Sequence, residues 1–581
     1  MLLVLLILFS AFCISAQKHD NIWLLGYAGG SQSPVDDYFG LSILKFDAGN
    51  HFSIENNQTS NLNFAASNSS ICDSLGNLLF YSNGERIYNN NHELVLNSGG
   101  LNAQDQFGAS QPQGVLSLPM PGHPNEFMVF ISETKYFSQD NPVGGWRIYK
   151  NLLDMNANNG SGQLIYKKTQ LIEDTLESGQ ITSVKHANGR DWWILIPESY
   201  SNRYFTLLLD PAGVTITDSQ SIGIPSMNGL GQAVFAPDGS KYARVNGTTL
   251  SEPNSLYLYD FDRCTGKLSN PLYFTFENNG LGQGGVFSKN SRFFYAMDGQ
   301  KVWQYDLWEA DVAASKTLVG EWDGYIWEQH FYTTFAIAQL APDGKIYIST
   351  TGSTPFLHVI EYPDRKGVAC TINQRAVELP NLNVYSIPNH PNFRLGPIDD
   401  SSCDTLGLDN HPLSNFRWEQ EDSLSPLQII FNDLSSYEPL DWHWDFGDLS
   451  ISQDTSPVHK YDSAGIYQVC LTVSNQYSSD TYCQTLYLGV SAQDNPLIKN
   501  QIGIMPNPFK ENLFVLLSAS LRNPVFRLYD QVGQLIEEVH LDFGITEIRS
   551  ATLPVGIYFW EVTSNHERVK SGKCIKAFEG K

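Results

Sequence analysis

The 581-residue sequence lacks the common marks of a hydrolase or nucleotide enzyme. It has no Gly-x-Ser-x-Gly elbow, no His-Glu-x-x-His, no Walker loop and no Rossmann strand–glycine turn–helix fingerprint. None of its eight cysteines forms a Cys-x-x-Cys pair, which argues against a zinc site. Lys and Arg total 36 against 61 Asp and Glu, a net charge of −25 with no basic cluster. That balance argues against nucleic acid, which needs clustered cations to displace counterions, and against docking on an anionic membrane. Beyond the N-terminus, no apolar run approaches the roughly 20 residues of a membrane span. Long helical periodicity is almost missing from residues 21–395.

The first residues, MLLVLLILFSAFCISA, do form an apolar run that ends on small side chains. They read as a secretory signal peptide, residues 1–16. Cys13 raises a lipoprotein alternative, which the bulky Phe12 before it opposes. Export permits disulfides among the seven remaining cysteines.

Residues 21–396 consist of short strands separated by turn signals. GQAVFAPDGSKYARVN (231–246), GGVFSKNSRFFYAMDG (284–299) and AIAQLAPDGKIYISTTG (336–352) share one layout: a small-residue strand, a polar turn, then a second strand. Each is followed by a third and a fourth strand. Weaker copies begin near Ala65, Gln113 and Gln180. A four-stranded repeat of about 40–60 residues is the mark of a β-propeller. Six full starts are expected. The N-terminal strands in NIWLLGYAGG, LSILKFDAG and HFSIENN, joined to a first strand in VYSIPNHPNF (384–393), complete a seventh blade. The predicted fold class is therefore all-β: a seven-bladed propeller over 21–396, a linker at 397–415, a small antiparallel β-sandwich at 416–489, a second linker at 490–500 and a small β-sandwich at 501–581. A β-sandwich with insertions is the alternative for the first unit.

In GIYQVCLTVSN (465–475), apolar Tyr467, Val469, Leu471 and Val473 alternate with polar neighbours, the pattern of a half-buried strand. Pairing it with TYCQTLYLG sets Cys470 opposite Cys483 and Thr472 opposite Thr481, so a cross-strand disulfide between Cys470 and Cys483 is expected. His443, Asp445, Asp448 and His459 could be read as a metal cluster. His443 and Asp445 share the strand face opposite Trp444 and Phe446, however, and a turn aspartate with surface histidines accounts for the pattern without metal. No cofactor is expected; a weak calcium contact at Asp448 stays open.

Together, WDFGD (444–448), SPVHKY (456–461) and GIYQVCLTVSN resemble the PKD domain, an immunoglobulin-like extracellular module, which implies an immunoglobulin-like sandwich over 416–489. The resemblance gives Trp444, Asp445, Phe446, Gly447, Asp448, Tyr461, Gly465 and Tyr467 structural roles, and departs from the family at Leu449, where glycine is usual. Farther on, Pro506-Asn507-Pro508, LYDQVGQL (528–535), LPVGIYFWEV with Gly556 and Tyr558, and a basic last strand resemble the type A C-terminal sorting domain of the type IX secretion system of Bacteroidota. This resemblance implies export across the outer membrane, with the type IX machinery as partner and a secreted or cell-surface destination.

The expected function is non-catalytic: a binding or adhesion protein whose propeller holds an unidentified glycan or protein, with the PKD unit as spacer. Two other readings stay open, a propeller polysaccharide hydrolase or lyase and a structural component of the surface or gliding apparatus. Asp36, Asp37, Glu328 and His330 are the polar residues considered able to reach a central channel, though each is more simply a surface or turn residue.

Overall fold

The computed structural model describes residues 17–27, 38–46, 52–102, 111–135, 144–226, 229–247, 253–280, 283–420 and 427–488 apart from 464; in the last domain it describes 502–505, 509, 513–517, 524–541, 544–548, 553–564 and 567–576. Among these, the only helical turns are two short 3-10 segments, Asn158–Gly160 and Gly367–Cys370; everything else regular is strand.

Six strands open successive antiparallel meanders: Ser69–Cys72, Val115–Pro119, Thr182–Lys185, Leu230–Phe235, Gly285–Phe287 and Phe335–Leu340. These starts coincide with the six repeats read from the sequence. Five meanders carry four strands, and the one from Ser69 carries three. First strands are buried on both faces, as in Thr182–Lys185, while a fourth strand such as Lys267–Phe276 is largely exposed. The first strands therefore lie innermost. They approach one another closely: a Cβ at Gly284 would collide with the carbonyl of Ala336 on the next first strand. Between consecutive sheets, facing side chains make the core, as where Val286 and Tyr295 meet Phe335 and Ile348.

The axis of this propeller-like array is filled by amides. The Gln113 side chain donates to Ala233 O and accepts from Ala233 N–H, both at 2.8 Å. Gln232 Oε1 accepts from Gly285 N–H at 3.1 Å and Ala338 N–H at 3.0 Å. Asn389 Nδ2 reaches Val115 O at 3.1 Å and Ile181 O at 2.9 Å. Each amide ties first strands that are far apart in sequence, and buried amides of this kind are stable because their donors and acceptors are matched.

The blade expected to close the ring is not formed as the sequence suggests. Its N-terminal sheet, Ile22–Gly26, Leu41–Phe46 and Phe52–Asn57, has three strands, and residues 384–393 form none. Pro388 and Pro391 remove two backbone donors from that segment, so a ladder cannot form along it. Closure is made instead by separate bonds. Asn389 N–H donates to Asn68 O at 3.0 Å, Asn68 Nδ2 donates to Leu24 O at 2.6 Å, and His390 Nε2 donates to Ser70 O at 2.6 Å.

The next unit is a two-sheet sandwich. One sheet pairs Phe416–Glu419, Gln428–Asp433 and Val458–Lys460; the other orders Ile451–Ser452, Asp441–Asp445, Gly465–Ser474 and Ser479–Leu488. Trp444 is fully buried, with Phe416 at 5.0 Å and Phe431 at 5.5 Å between ring centroids. Cys470 and Cys483 face each other in register and are disulfide-bonded, with Cα atoms 4.1 Å apart.

One expectation about this region is corrected. Residues 397–415 are not a free linker: Cys403 is disulfide-bonded to Cys264, Ile398 N–H donates to Ala187 O at 2.8 Å, and Asn410 is fully buried. The sandwich also contacts the propeller directly. It sits on the propeller turns that join first to second and third to fourth strands. Lys289 Nζ donates to Asp433 O at 2.7 Å, Arg417 Nη2 donates to Glu361 O at 2.8 Å, and Lys345 bridges Glu361 and Glu419 at 2.5 and 3.0 Å. Leu434 and Tyr437 are buried in the contact. A cavity of about 430 Å³ remains beneath it, between Gln113, Asn389 and His390 on one side and Tyr437 and Trp442 on the other.

The last domain also has two sheets, Ile502–Met505, Leu513–Leu517 and Gly544–Ile548 in one, and Leu535–His540, Pro524–Tyr529, Gly556–Ser564 and Glu567–Lys576 in the other. Phe526, Leu528, Trp560 and Cys574 form part of its core. Tyr558 is buried and donates to Pro554 O at 2.7 Å; Gly556 opens its strand. Pro506, Asn507 and Pro508, like Asp36, Asp37 and residues 1–16, lie outside the described residues.

Candidate functional site

With the turns at one end of the propeller covered by the sandwich, the opposite end carries the connections between second and third strands and between successive sheets. One of these connections, between Thr317–Glu321 and Phe335–Leu340, is built up into a two-stranded hairpin, Ile326–Trp327 paired with Phe331–Tyr332. Its tip is Glu328-Gln329-His330. Glu328 and Gln329 both take left-handed backbone conformations, with φ of 48° and 60°. Side-chain residues other than glycine rarely adopt this region, and two in succession cost free energy that the surrounding structure must offset.

That support comes from the base. Trp322 Nε1 donates to Thr333 Oγ1 at 3.1 Å, and Thr333 Oγ1 donates to Tyr325 O at 2.8 Å. Buried His358 donates from Nε2 to Thr333 O at 2.9 Å and accepts at Nδ1 from Arg375 N–H at 3.1 Å. Arg375 in turn holds Asp323 through both carboxylate oxygens, at 3.0 and 2.6 Å, with its guanidinium 4.5 Å from the Tyr325 ring. Burial lowers the His358 pKa to about 4, against 6.5 for a free imidazole. Gly352 N–H, in the neighbouring turn, donates to Tyr332 O at 3.1 Å.

Aromatic rings stand out from this rigid base. Tyr332 is 53% exposed, Tyr325 43% and Phe331 38%, and Tyr38 from the adjoining connection is 49% exposed. Trp327 and Phe331 pair directly, so their rings share one hairpin face, 5.8 Å apart, and Tyr38 meets Trp327 edge-on at 5.5 Å. On the other face Tyr332 packs against Trp322 at 5.9 Å.

The residues singled out from the sequence fall elsewhere or differently. Glu328 and His330 do not reach the axis: they are exposed at the hairpin tip, where His330 Nδ1 donates to Glu328 O at 2.6 Å. His443 and Asp445 are exposed on one strand face, opposite buried Trp444 and Phe446. His459 is more than a surface histidine. It stacks on Phe446 with centroids 4.0 Å apart and pairs with Asp448 Oδ2 at 2.8 Å, while Asp448 Oδ1 caps Ser450 N–H at 2.9 Å. Among the described residues, no group of three or more His, Cys, Asp or Glu is arranged to hold a metal ion. Gly447, at φ 77°, lies against the backbone of Gln468, where any Cβ would collide; Tyr461 donates to Phe446 O at 3.1 Å and Tyr467 to Ser463 O at 2.8 Å. Gly465 begins the strand that carries Tyr467 and Cys470.

Sequence reading missed the hairpin itself. Its signal was available in YIWEQHFY (325–332), an aromatic-rich insertion lengthening one inter-repeat connection.

Comparisons with known proteins agree with the two C-terminal units. The family model described as PKD domain matches residues 419–490, and the model described as secretion system C-terminal sorting domain matches residues 503–577. Among solved structures, the PKD1 domain of the Vibrio cholerae metalloprotease PrtV is 30% identical, covering 13% of this chain and 94% of its own, with a TM-score of 0.12. The PKD1 domain of Vibrio anguillarum Epp is 25% identical, covering 14% and 94%, with a TM-score of 0.13. A Bacteroides uniformis protein described as a 6-phosphogluconolactonase is 12% identical, covering 63% of this chain and 98% of its own, with a TM-score of 0.39. No curated protein matches the chain. No helix among the described residues is long and apolar enough to cross a membrane. The chain is thus an all-β protein that carries a PKD domain and a type IX C-terminal sorting domain, the latter directing export across the outer membrane to the cell surface or the extracellular space.

Proposed function

We propose that the protein is a non-catalytic binding or adhesion protein of the cell exterior, in which the propeller end facing away from the PKD domain takes the ligand. The observation that carries this reading is the aromatic hairpin at 326–332, raised on that end and braced from beneath. Loops at one end of a rigid scaffold are where binding residues concentrate, and rings left open to water on such loops are costly unless a ligand covers them. The PKD domain then serves as a fixed base that closes the other end and joins the propeller to the sorting domain.

The test is a thermal-shift screen of the exported protein against glycans and cell-envelope extracts. A ligand at 100 times its dissociation constant stabilises by about 2.7 kcal/mol. A saturable shift that is lost when residues 326–332 are replaced by a short Gly-Ser turn supports the reading. A shift unaffected by that replacement, or no shift with any fraction, refutes it.

A further inference from the structure

We infer that the 326–332 hairpin is a stacking platform for a neutral polysaccharide chain, with Trp327 and Phe331 as its principal rings. The inference rests on the free propeller end being the ligand face and adds the class of ligand.

Three observations narrow the ligand. First, the platform is small, with two paired residues on each strand and aromatic rings on both faces. A standard protein interface needs roughly 800 Å² from each partner, far more than such a projection offers, whereas a few sugar rings cover it. Second, Trp327 and Phe331 lie 5.8 Å apart on one hairpin face, close to the length of one hexose unit, while Tyr38 meets Trp327 edge-on and buttresses it. They touch each other rather than enclose a gap, so they make no cage for a quaternary ammonium group. Third, the charge is unfavourable to anions. Glu321 and Glu328 border the hairpin in a chain of net charge −25, and the Arg375 cation is already neutralised by Asp323. An anionic glycan would be repelled, while a neutral chain can present its apolar C–H faces to the rings and its hydroxyls to Glu328 and His330.

The platform is also held in place before ligand arrives. The left-handed residues at its tip and the hydrogen bonds at its base fix the ring positions, which reduces the ordering cost on binding.

The experiment is affinity electrophoresis of the full exported protein in gels containing xylan, mannan, hydroxyethyl cellulose or β-1,3-glucan, with alginate as the anionic comparison. Retardation is expected in at least one neutral gel and not in alginate. Trp327→Ala and Phe331→Ala are expected to weaken it at least tenfold without changing the melting temperature. Trp308→Ala, at an exposed tryptophan away from the hairpin, is expected to leave it unchanged. Retardation by alginate alone, no retardation by any neutral polysaccharide, or retardation indifferent to both hairpin substitutions overturns the inference. If the exported protein instead captures an envelope protein in a manner that depends on residues 326–332, the carbohydrate assignment fails while the free-end reading stands. If neither class binds through the hairpin, both fail.

Discussion

Protonating His358 should loosen the hairpin and the sheet beneath it. The imidazole is fully buried; Nε2–H donates to Thr333 O, and Nδ1 accepts from Arg375 N–H. A second proton would have to enter at Nδ1, where a backbone donor already points, and would bring a charge into a dry site beside the Arg375 guanidinium. Burial is the main cause of the low pKa, about 4 against 6.5. The native state therefore binds fewer protons than the unfolded chain between those values. The stabilising effect of keeping His358 neutral is complete above pH 6.5, and it is lost as pH falls toward 4. At about 1.4 kcal/mol per pH unit, the loss reaches about 2.5 kcal/mol by pH 4.5 and about 3 kcal/mol below pH 4. The perturbation is His358→Gln, whose amide can donate to Thr333 O and accept from Arg375 N–H while staying neutral. Stability of the exported protein and of the variant would be measured by urea unfolding from pH 7.5 to 4.5, following tryptophan fluorescence. The variant is expected to gain about 2.5 kcal/mol relative to the parent over that range. Parallel pH profiles for the two proteins, or an imidazole resonance absent from the variant that titrates near 6.5 in the parent, would refute the reasoning.

Other consequences can be checked on the same material. The Cys264–Cys403 bridge spans 139 residues and Cys470–Cys483 spans 13, so chain-entropy arguments give about 5 and about 3 kcal/mol as upper values. Replacing both cysteines of the first pair with serine should lower the propeller unfolding transition more than the same change at the second pair lowers that of the PKD domain. Leu449 is fully exposed with φ 75°, so Leu449→Gly should stabilise the PKD domain by about 1 kcal/mol in chemical denaturation; a loss of stability would contradict the strain assigned there. Arg244 and Glu177 are both buried and paired at 3.2 Å, with Arg244 also donating to Gln180 at 3.0 Å and Tyr204 at 3.2 Å. Arg244→Met leaves the carboxylate unpaired and should cost the propeller about 3–5 kcal/mol, readable as a lower unfolding midpoint, with Glu177→Gln added to it restoring part of the loss.

The repeat starts were legible because they depend on local pattern. A small-residue strand followed by Pro-Asp-Gly or Lys-Asn-Ser and a second strand marks a turn whatever surrounds it, and each such start in the sequence opens a meander in the structure. The ring closure was not legible in the same way. VYSIPNHPNF has enough β-branched and aromatic residues to pass for a strand, and its two prolines were outweighed by the need for a closing partner. What the segment does is decided by distant groups: Asn68 and Ser70 accept or supply its bonds across more than 300 residues of sequence. The hairpin lay between these cases. Its aromatic residues were visible, but in a chain with 12 Trp and 28 Tyr, ring content alone does not separate core from surface.

By itself, then, the sequence determined the strand periods, the turn positions, the facing of Cys470 and Cys483, and the PKD and sorting signatures. These are features of short range, in which alternation at period two and turn chemistry act within a few residues. The tertiary structure alone decided the amide-filled axis, the pairing of Cys264 with Cys403, the seating of the PKD domain on the propeller turns, and the placing of half-buried Trp327 beside exposed Phe331 on a braced hairpin. Each depends on which groups meet across long stretches of sequence, or on which rings the fold leaves partly open to water, and neither is written in local pattern.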